Sequence, residues 1–136
     1  LILIKFAGDI MYAIKSLDEL DLPNKHKKFI ESYLKNISKY DCIDRIILFG
    51  SCAKGTADEY SDVDLFVITS EDIPEDLEYE IIFDNVPRLS DGYIKNDILL
   101  KSNNIYNKYK CVTGMVQKAV ESEGVDISGL LPVGNR

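Results

Sequence analysis

Tryptophan is absent from these 136 residues, histidine occurs once and cysteine three times. Cys42, Cys52 and Cys111 make neither a CxxC pair nor a Cys/His spacing, so a disulfide framework and a zinc site are both disfavoured. A reducing, cytoplasmic compartment is expected. Proline is limited to Pro23, Pro74, Pro87 and Pro132, which punctuate elements and do not cluster. With no repeat, low-complexity run or Gly/Ser linker, the chain reads as one domain, its core spanning about residues 24–121. No apolar run approaches the roughly 20 residues that a membrane span requires, since Lys5, Asp9 and Lys15 break LILIKFAGDIMYAIKSL. That opening also has no charged leader and no small-residue cleavage site, and it reads as a helix over 1–20 of the folded protein. An excess of positive charge is missing too. Sixteen Lys and Arg against 23 Asp and Glu give a net charge of −7, which repels a phosphate backbone and makes a nucleic-acid partner unlikely.

What is present is ordinary globular material, 46% apolar and 29% charged. A chain of this size buries roughly two-thirds of its unfolded surface and needs no staple to fold. After Pro23, Phe29, Ile30, Tyr33, Leu34 and Ile37 keep helical spacing, with Asp21 placed as an N-cap. The β-branched runs at residues 43–49 (IDRIILF) and 63–69 (VDLFVIT) read as buried strands. Pro74 opens a helical stretch through Leu77, Ile81, Ile82 and Phe83, and a third strand is predicted at about Tyr93 to Leu100. Ile105, Tyr109, Val112, Met115, Val116, Ala119 and Val120 form a one-sided stripe that predicts one long core-facing helix ended by Gly124. The tail from Gly124 to Arg136 reads as an extended strap. Helices interspersed with strands joined by short links predict an α/β (α+β) domain, a small mixed sheet covered by helices.

The chemistry concentrates in residues 48–69, LFGSCAKGTADEYSDVDLFVIT. A buried strand delivers Gly50 and Ser51 into a turn, Gly55 permits a second tight approach, and ten residues separate Ser51 from Asp62. Asp62 and Asp64 then open the next strand, two apart and so on one face. Two like charges this close are tolerated where a divalent cation neutralises them, and hard oxygen donors select Mg2+ or Mn2+. Opposite them, the backbone N–H groups around Gly50 and the Ser51 hydroxyl suit a phosphate. The segment is not a Walker loop, because Lys54 is followed by Gly55 and Thr56.

A strand, Gly50-Ser51, about ten residues, then Asp62-x-Asp64 opening a second strand resembles the nucleotidyltransferase superfamily with the DNA polymerase β-type palm. The fuller run from Gly50 to Gly55 is similar to its small stand-alone members, the minimal nucleotidyltransferases, in which a basic residue commonly holds the position of Lys54. The resemblance covers about Ile43 to Leu100. It implies attack of a hydroxyl on the α-phosphorus of a nucleoside triphosphate, most simply ATP, with release of pyrophosphate. It further implies that Asp62 and Asp64 hold Mg2+ (or Mn2+), that Gly50, Ser51 and Lys54 bind the nucleotide, and that a third carboxylate binds metal and helps deprotonate the acceptor. Asp97, within a strand-like run, is the candidate third acid; Asp91 and Asp84 are the alternatives.

Each of these residues also has a plainer reading. Asp62 and Asp64 could be a solvated strand entry, Ser51 a helix N-cap, Lys54 a surface lysine, and Asp97 a charge protecting an edge strand. His26, among Lys25, Lys27 and Lys28, reads as a solvated helix end, and Cys52 has no base beside it in sequence to make it a nucleophile. The acceptor is expected to be a hydroxyl of a protein or small molecule, and by family analogy a helical HEPN-type protein is a candidate partner. The rival functions are a non-catalytic, antitoxin-like or nucleotide-binding module of the same fold, and an aminoglycoside-modifying enzyme.

Overall fold

The two β-branched runs form the centre of the sheet, as their composition requires. The computed structural model describes the backbone of residues 2–6, 9–90 and 92–132, and within these the side chains from residue 11 onward. Strands β1 (Ile2–Phe6), β2 (Asp9–Ala13), β3 (Ile43–Phe49), β4 (Val63–Thr69), β5 (Asn96–Ser102) and β6 (Val125–Asp126) make one six-stranded sheet in the order β1-β2-β6-β3-β4-β5. The β3/β4 pair is antiparallel and β4/β5 parallel, so the sheet is mixed. Helices α1 (Asn24–Ile37), α2 (Ser51–Lys54), α3 (Glu75–Tyr79), α4 (Asn103–Tyr109) and α5 (Val116–Glu123) surround it. This is the expected α/β class.

Strand alternation divides the core in two. Phe29, Ile30, Tyr33, Leu34 and Ile37 of α1 pack on Ile46, Leu48, Val63, Leu65, Val67, Ile98 and Leu100. On the other face Ile47, Phe66 and Ile68 meet Met11, Tyr106 and Val120. The Tyr106 ring stands edge-on to Phe66 at 5.3 Å.

Several expectations are corrected. Residues 1–20 contain no α-helix among the described positions; Ile2–Phe6 and Asp9–Ala13 are an antiparallel pair whose inner strand runs parallel to β6. A short apolar run carries no period that separates helix from strand, and the partner supplied from residues 125–126 decides it. Asp21 lies outside α1, whose N-cap is Pro23. The stretch after Pro74 is helical only to Tyr79 and widens into a π-turn over Glu80–Asp84, with Phe83 59% exposed. The third strand starts at Asn96, three residues later than Tyr93. The single helix over 105–120 is two, broken where Gly114 takes φ 90°, and its stripe holds only in part: Val120 is buried as expected, but Val112, Met115 and Val116 are exposed, and Tyr106, Gln117 and Glu121 are buried instead. A polar pair decides that face, since the Tyr106 hydroxyl donates to Glu121 Oε2 at 2.5 Å. The tail is no outer strap as far as it is described. Val125–Asp126 sits inside the sheet between β2 and β3, and Ile127 and Leu131 are buried; Gly134 lies outside the described residues.

Gly124 joins α5 to β6 where a β-carbon would lie 2.4 Å from both the Val120 carbonyl oxygen and Ile47 Cγ2. Gly124→Ala is therefore expected to destabilise the domain by about 1–3 kcal/mol, the usual range for overpacking against backbone, measured as a lower urea midpoint at unchanged m.

Candidate active site

Strand β3 ends at Phe49, and the chain turns through Gly50 at φ 71°, ψ −155°, a region open essentially only to glycine. Ser51 begins the single turn of α2, which stops at Gly55 in the left-handed conformation. Thus Ser51 is the first residue of the turn, and the cap is Gly50. Phe49 pairs with Asp64 across the β3/β4 ladder, and this register brings the Asp64 carboxylate over Gly50. A β-carbon on Gly50 would lie 2.2 Å from Asp64 Oδ2.

Parallel pairing then sets Asp64 beside Asp97 of β5. Directly paired residues of neighbouring strands point to the same face, and Asp62, two residues before Asp64, shares its parity. The three carboxylates therefore gather at one end of the sheet, on the Phe66 side. Burial pushes the Asp64 carboxyl above its ordinary value, Asp97 and then Asp62 push it further, and Lys95 offsets part of the rise. Lys95 Nζ lies 3.9 Å from Asp62 Oδ2, both side chains being well exposed. Among the described residues, no three His, Cys, Asp or Glu side chains converge closely enough to hold an ion as they stand. Asp84 does not join the group: its field acts on Tyr40, just beyond the C-terminal end of α1. Asp91 lies outside the described residues.

Of the neighbouring residues, His26 departs from its sequence reading. Lys54 is half exposed and ion-paired with Glu123 at 3.4 Å. Cys52 is buried, and its thiol, pushed up to about 11 by burial and by Asp64 and Asp62, stays protonated and donates to the Asp62 carbonyl at 3.4 Å. His26 is no solvated helix end. It is fully buried, with Nε2 2.7 Å from the Ser61 carbonyl oxygen. Its lysine neighbours hid this, because only the fold brings residue 61 to residue 26. A cavity of about 730 Å³ lined by Phe29, Phe83, Arg88, Tyr93, Ile94 and Asn96 opens on the α1 side. Asn96 alternates with Asp97, so this cavity lies behind the carboxylates and is not their site.

The nucleotidyltransferase domain model matches residues 24–125. A curated protein of Methanocaldococcus jannaschii, named as a putative protein adenylyltransferase, is 36% identical over 111 residues, which cover 82% of this chain and 100% of the relative. The chain belongs to the nucleotidyltransferase-domain family. This nucleotidyltransferase carries, among its described residues, no helix long and apolar enough to cross a membrane.

Two outcomes follow from the geometry of the nucleotidyltransferase turn. Gly50→Ala is expected to lower stability by about 1–3 kcal/mol through backbone strain, and by more through the collision with Asp64. The double variant Gly50→Ala/Asp64→Ala should recover the collision part and keep the strain, which a double-mutant cycle of urea midpoints resolves. For Asp64 the folded carboxyl binds its proton more tightly than the unfolded one. Its contribution to stability is present below the ordinary value of 3.8 and is lost as pH rises through the folded value. In metal-free protein Asp64→Asn should melt above wild type at pH 7, and the gap should close as pH falls towards 4.

Proposed function

We propose that this nucleotidyltransferase transfers AMP from ATP to a hydroxyl of a protein acceptor, with release of pyrophosphate, and that it requires Mg2+ or Mn2+. The observation that carries the reading is the Asp64 carboxylate, lying against Gly50 with its carboxyl raised first by burial and then by Asp97 and Asp62. Three carboxylates whose charge only the exposed Lys95 offsets among the described residues are a hard-oxygen donor set that fits a divalent ion. Asp62, Asp64 and Asp97 would hold it, with Asp62 turning in from Lys95. Bound there, the ion would neutralise charge on the triphosphate and lower the barrier to attack at the α-phosphorus.

The remaining work falls to the chain. Gly50 and Ser51 offer backbone N–H groups and a hydroxyl to the phosphates at a close approach that no other residue at position 50 permits. Asp97, exposed at the edge strand, would take the proton of the acceptor hydroxyl as its oxygen bonds to phosphorus and the bond to pyrophosphate breaks. Lys54 would exchange Glu123 for a phosphate, a small cost because both side chains are half exposed. The name of the Methanocaldococcus jannaschii relative supports adenylyl transfer and a protein acceptor. A helical HEPN-type protein is one candidate for that acceptor, and the net charge of −7 speaks against a nucleic acid.

The test is incubation with Mg2+, a soluble protein extract and ATP labelled either at the α- or at the γ-phosphate. The α-label is expected to enter protein and the γ-label to leave as pyrophosphate. Chelation should abolish transfer, and Asp64→Ala should reduce it at least about 100-fold. Label appearing on an added aminoglycoside instead would favour the drug-modifying reading. Partner binding without any transfer would favour the non-catalytic module.

A further inference from the structure

Asp62 has to be held while its side chain stays free to move, and the structure shows how its backbone is held. The turn before it is closed on itself: Asp58 N–H donates to Ser61 Oγ at 2.9 Å, Tyr60 N–H to Asp58 Oδ1 at 2.9 Å, and Ser61 N–H to the Asp58 carbonyl at 3.1 Å. These bonds shape the turn but do not fasten it to the domain. Three others do: after Asp62 the Val63 N–H donates to the Lys95 carbonyl oxygen at 3.0 Å, and two side chains hold the carbonyls of Asp62 itself and of the residue before it. Cys52 Sγ lies 3.4 Å from the Asp62 carbonyl oxygen. His26 Nε2 lies 2.7 Å from the carbonyl oxygen of Ser61, from the first turn of a helix 35 residues away.

The histidine bond is the stronger of the two, since a thiol is a weak donor. A carbonyl only accepts, so Nε2 carries the proton. The ring is fully buried while Nδ1 has no partner. Burying a polar ring with half its hydrogen-bonding capacity unused costs stability that an apolar side chain of similar size would not. Among Phe29, Ile30 and Tyr33 of the same helix, an apolar residue would fit the packing. What the imidazole adds is the single directed bond to the residue before Asp62. The ion pair of Asp62 with Lys95 does not fix the carboxylate, because it is long and exposed.

We propose that His26 is a positioning residue: its Nε2–H anchors the Ser61 carbonyl and so keeps the Asp62 carboxylate within reach of the ion shared with Asp64 and Asp97. This rests on the metal-dependent reading above. It places the anchor on α1, outside the Gly-Ser/Asp-x-Asp segment.

The test compares wild type with His26→Leu, which fills the space without a donor, and His26→Gln, whose amide restores an N–H at similar reach. Two readouts are used: amide hydrogen exchange over residues 58–63 in protein free of metal and nucleotide, and Mn2+ binding followed by electron paramagnetic resonance with a non-hydrolysable ATP analogue, scored above an Asp64→Ala baseline. His26→Leu is expected to speed exchange over 58–63 and leave the body of α1 protected. It should also weaken Mn2+ binding about 10-fold or more, the usual effect of losing a group that orients a ligand. His26→Gln should bring both within about threefold of wild type. Unchanged exchange over 58–63, unchanged Mn2+ binding, or a glutamine variant no better than leucine would overturn the assignment. If wild type binds no Mn2+ above the baseline, the metal reading fails and the role given to His26 fails with it. The exchange data, taken without metal, distinguish that result from a failure of the anchor alone.

Discussion

The Asp64 carboxylate resting on the bare α-carbon of Gly50 is the contact on which the site depends. It exists because Phe49 and Asp64 are paired in the β3/β4 ladder and because Gly50 leaves β3 with a backbone geometry that only glycine adopts cheaply. An acid at a strand start and an anion-binding turn at a neighbouring strand end thus become one unit. Their separation is set by hydrogen-bonded sheet, the stiffest part of the domain, and not by a loop. β5 extends the unit by one strand spacing, placing Asp97 beside Asp64.

The two faces of the sheet have different duties. The α1 face is a core of aliphatic and aromatic side chains, and Tyr33, fully buried there, donates its hydroxyl to the Ile81 carbonyl at 2.9 Å to hold the π-turn. The opposite face bears the carboxylates at one end and a buried polar set further along. Tyr106 donates to Glu121, and Arg45 lies 3.5 Å from Asp126 and over the Tyr106 ring. Such pairs add little net stability compared with apolar packing but are costly to break. They tie α4, α5 and β6 to the strands that carry the acids.

How much was legible in the residues depends on the range of the interaction. Both central strands and α1 are read within their own windows, because their apolar side chains are dense and correctly spaced. The Gly-Ser turn and the paired aspartates lie within 22 residues of each other, and their spacing alone points to phosphate and metal chemistry. The N-terminal strands read locally as a helix because the partner that settles their strand character, β6, lies more than 100 residues later. The break at Gly114 was missed for a related reason. The apolar stripe continues across it, and the buried face of α5 is chosen by a tyrosine and a glutamate instead.

Local pattern by itself determined the α/β class, the strand-turn-strand unit and the identity of the residues in it. Those properties depend on side-chain volume, branching and the special backbone of glycine, all of which are carried by neighbours in the chain. Only the tertiary structure decided that Asp97 stands next to Asp64, that Asp84 does not, that Lys54 rests on Glu123, and that a histidine among lysines is buried under Ser61. The three joinings link residues between 33 and 69 positions apart, and the excluded one, Asp84 with Asp64, separates residues 20 positions apart. Strand register and helix docking set them, and no short stretch of sequence encodes either.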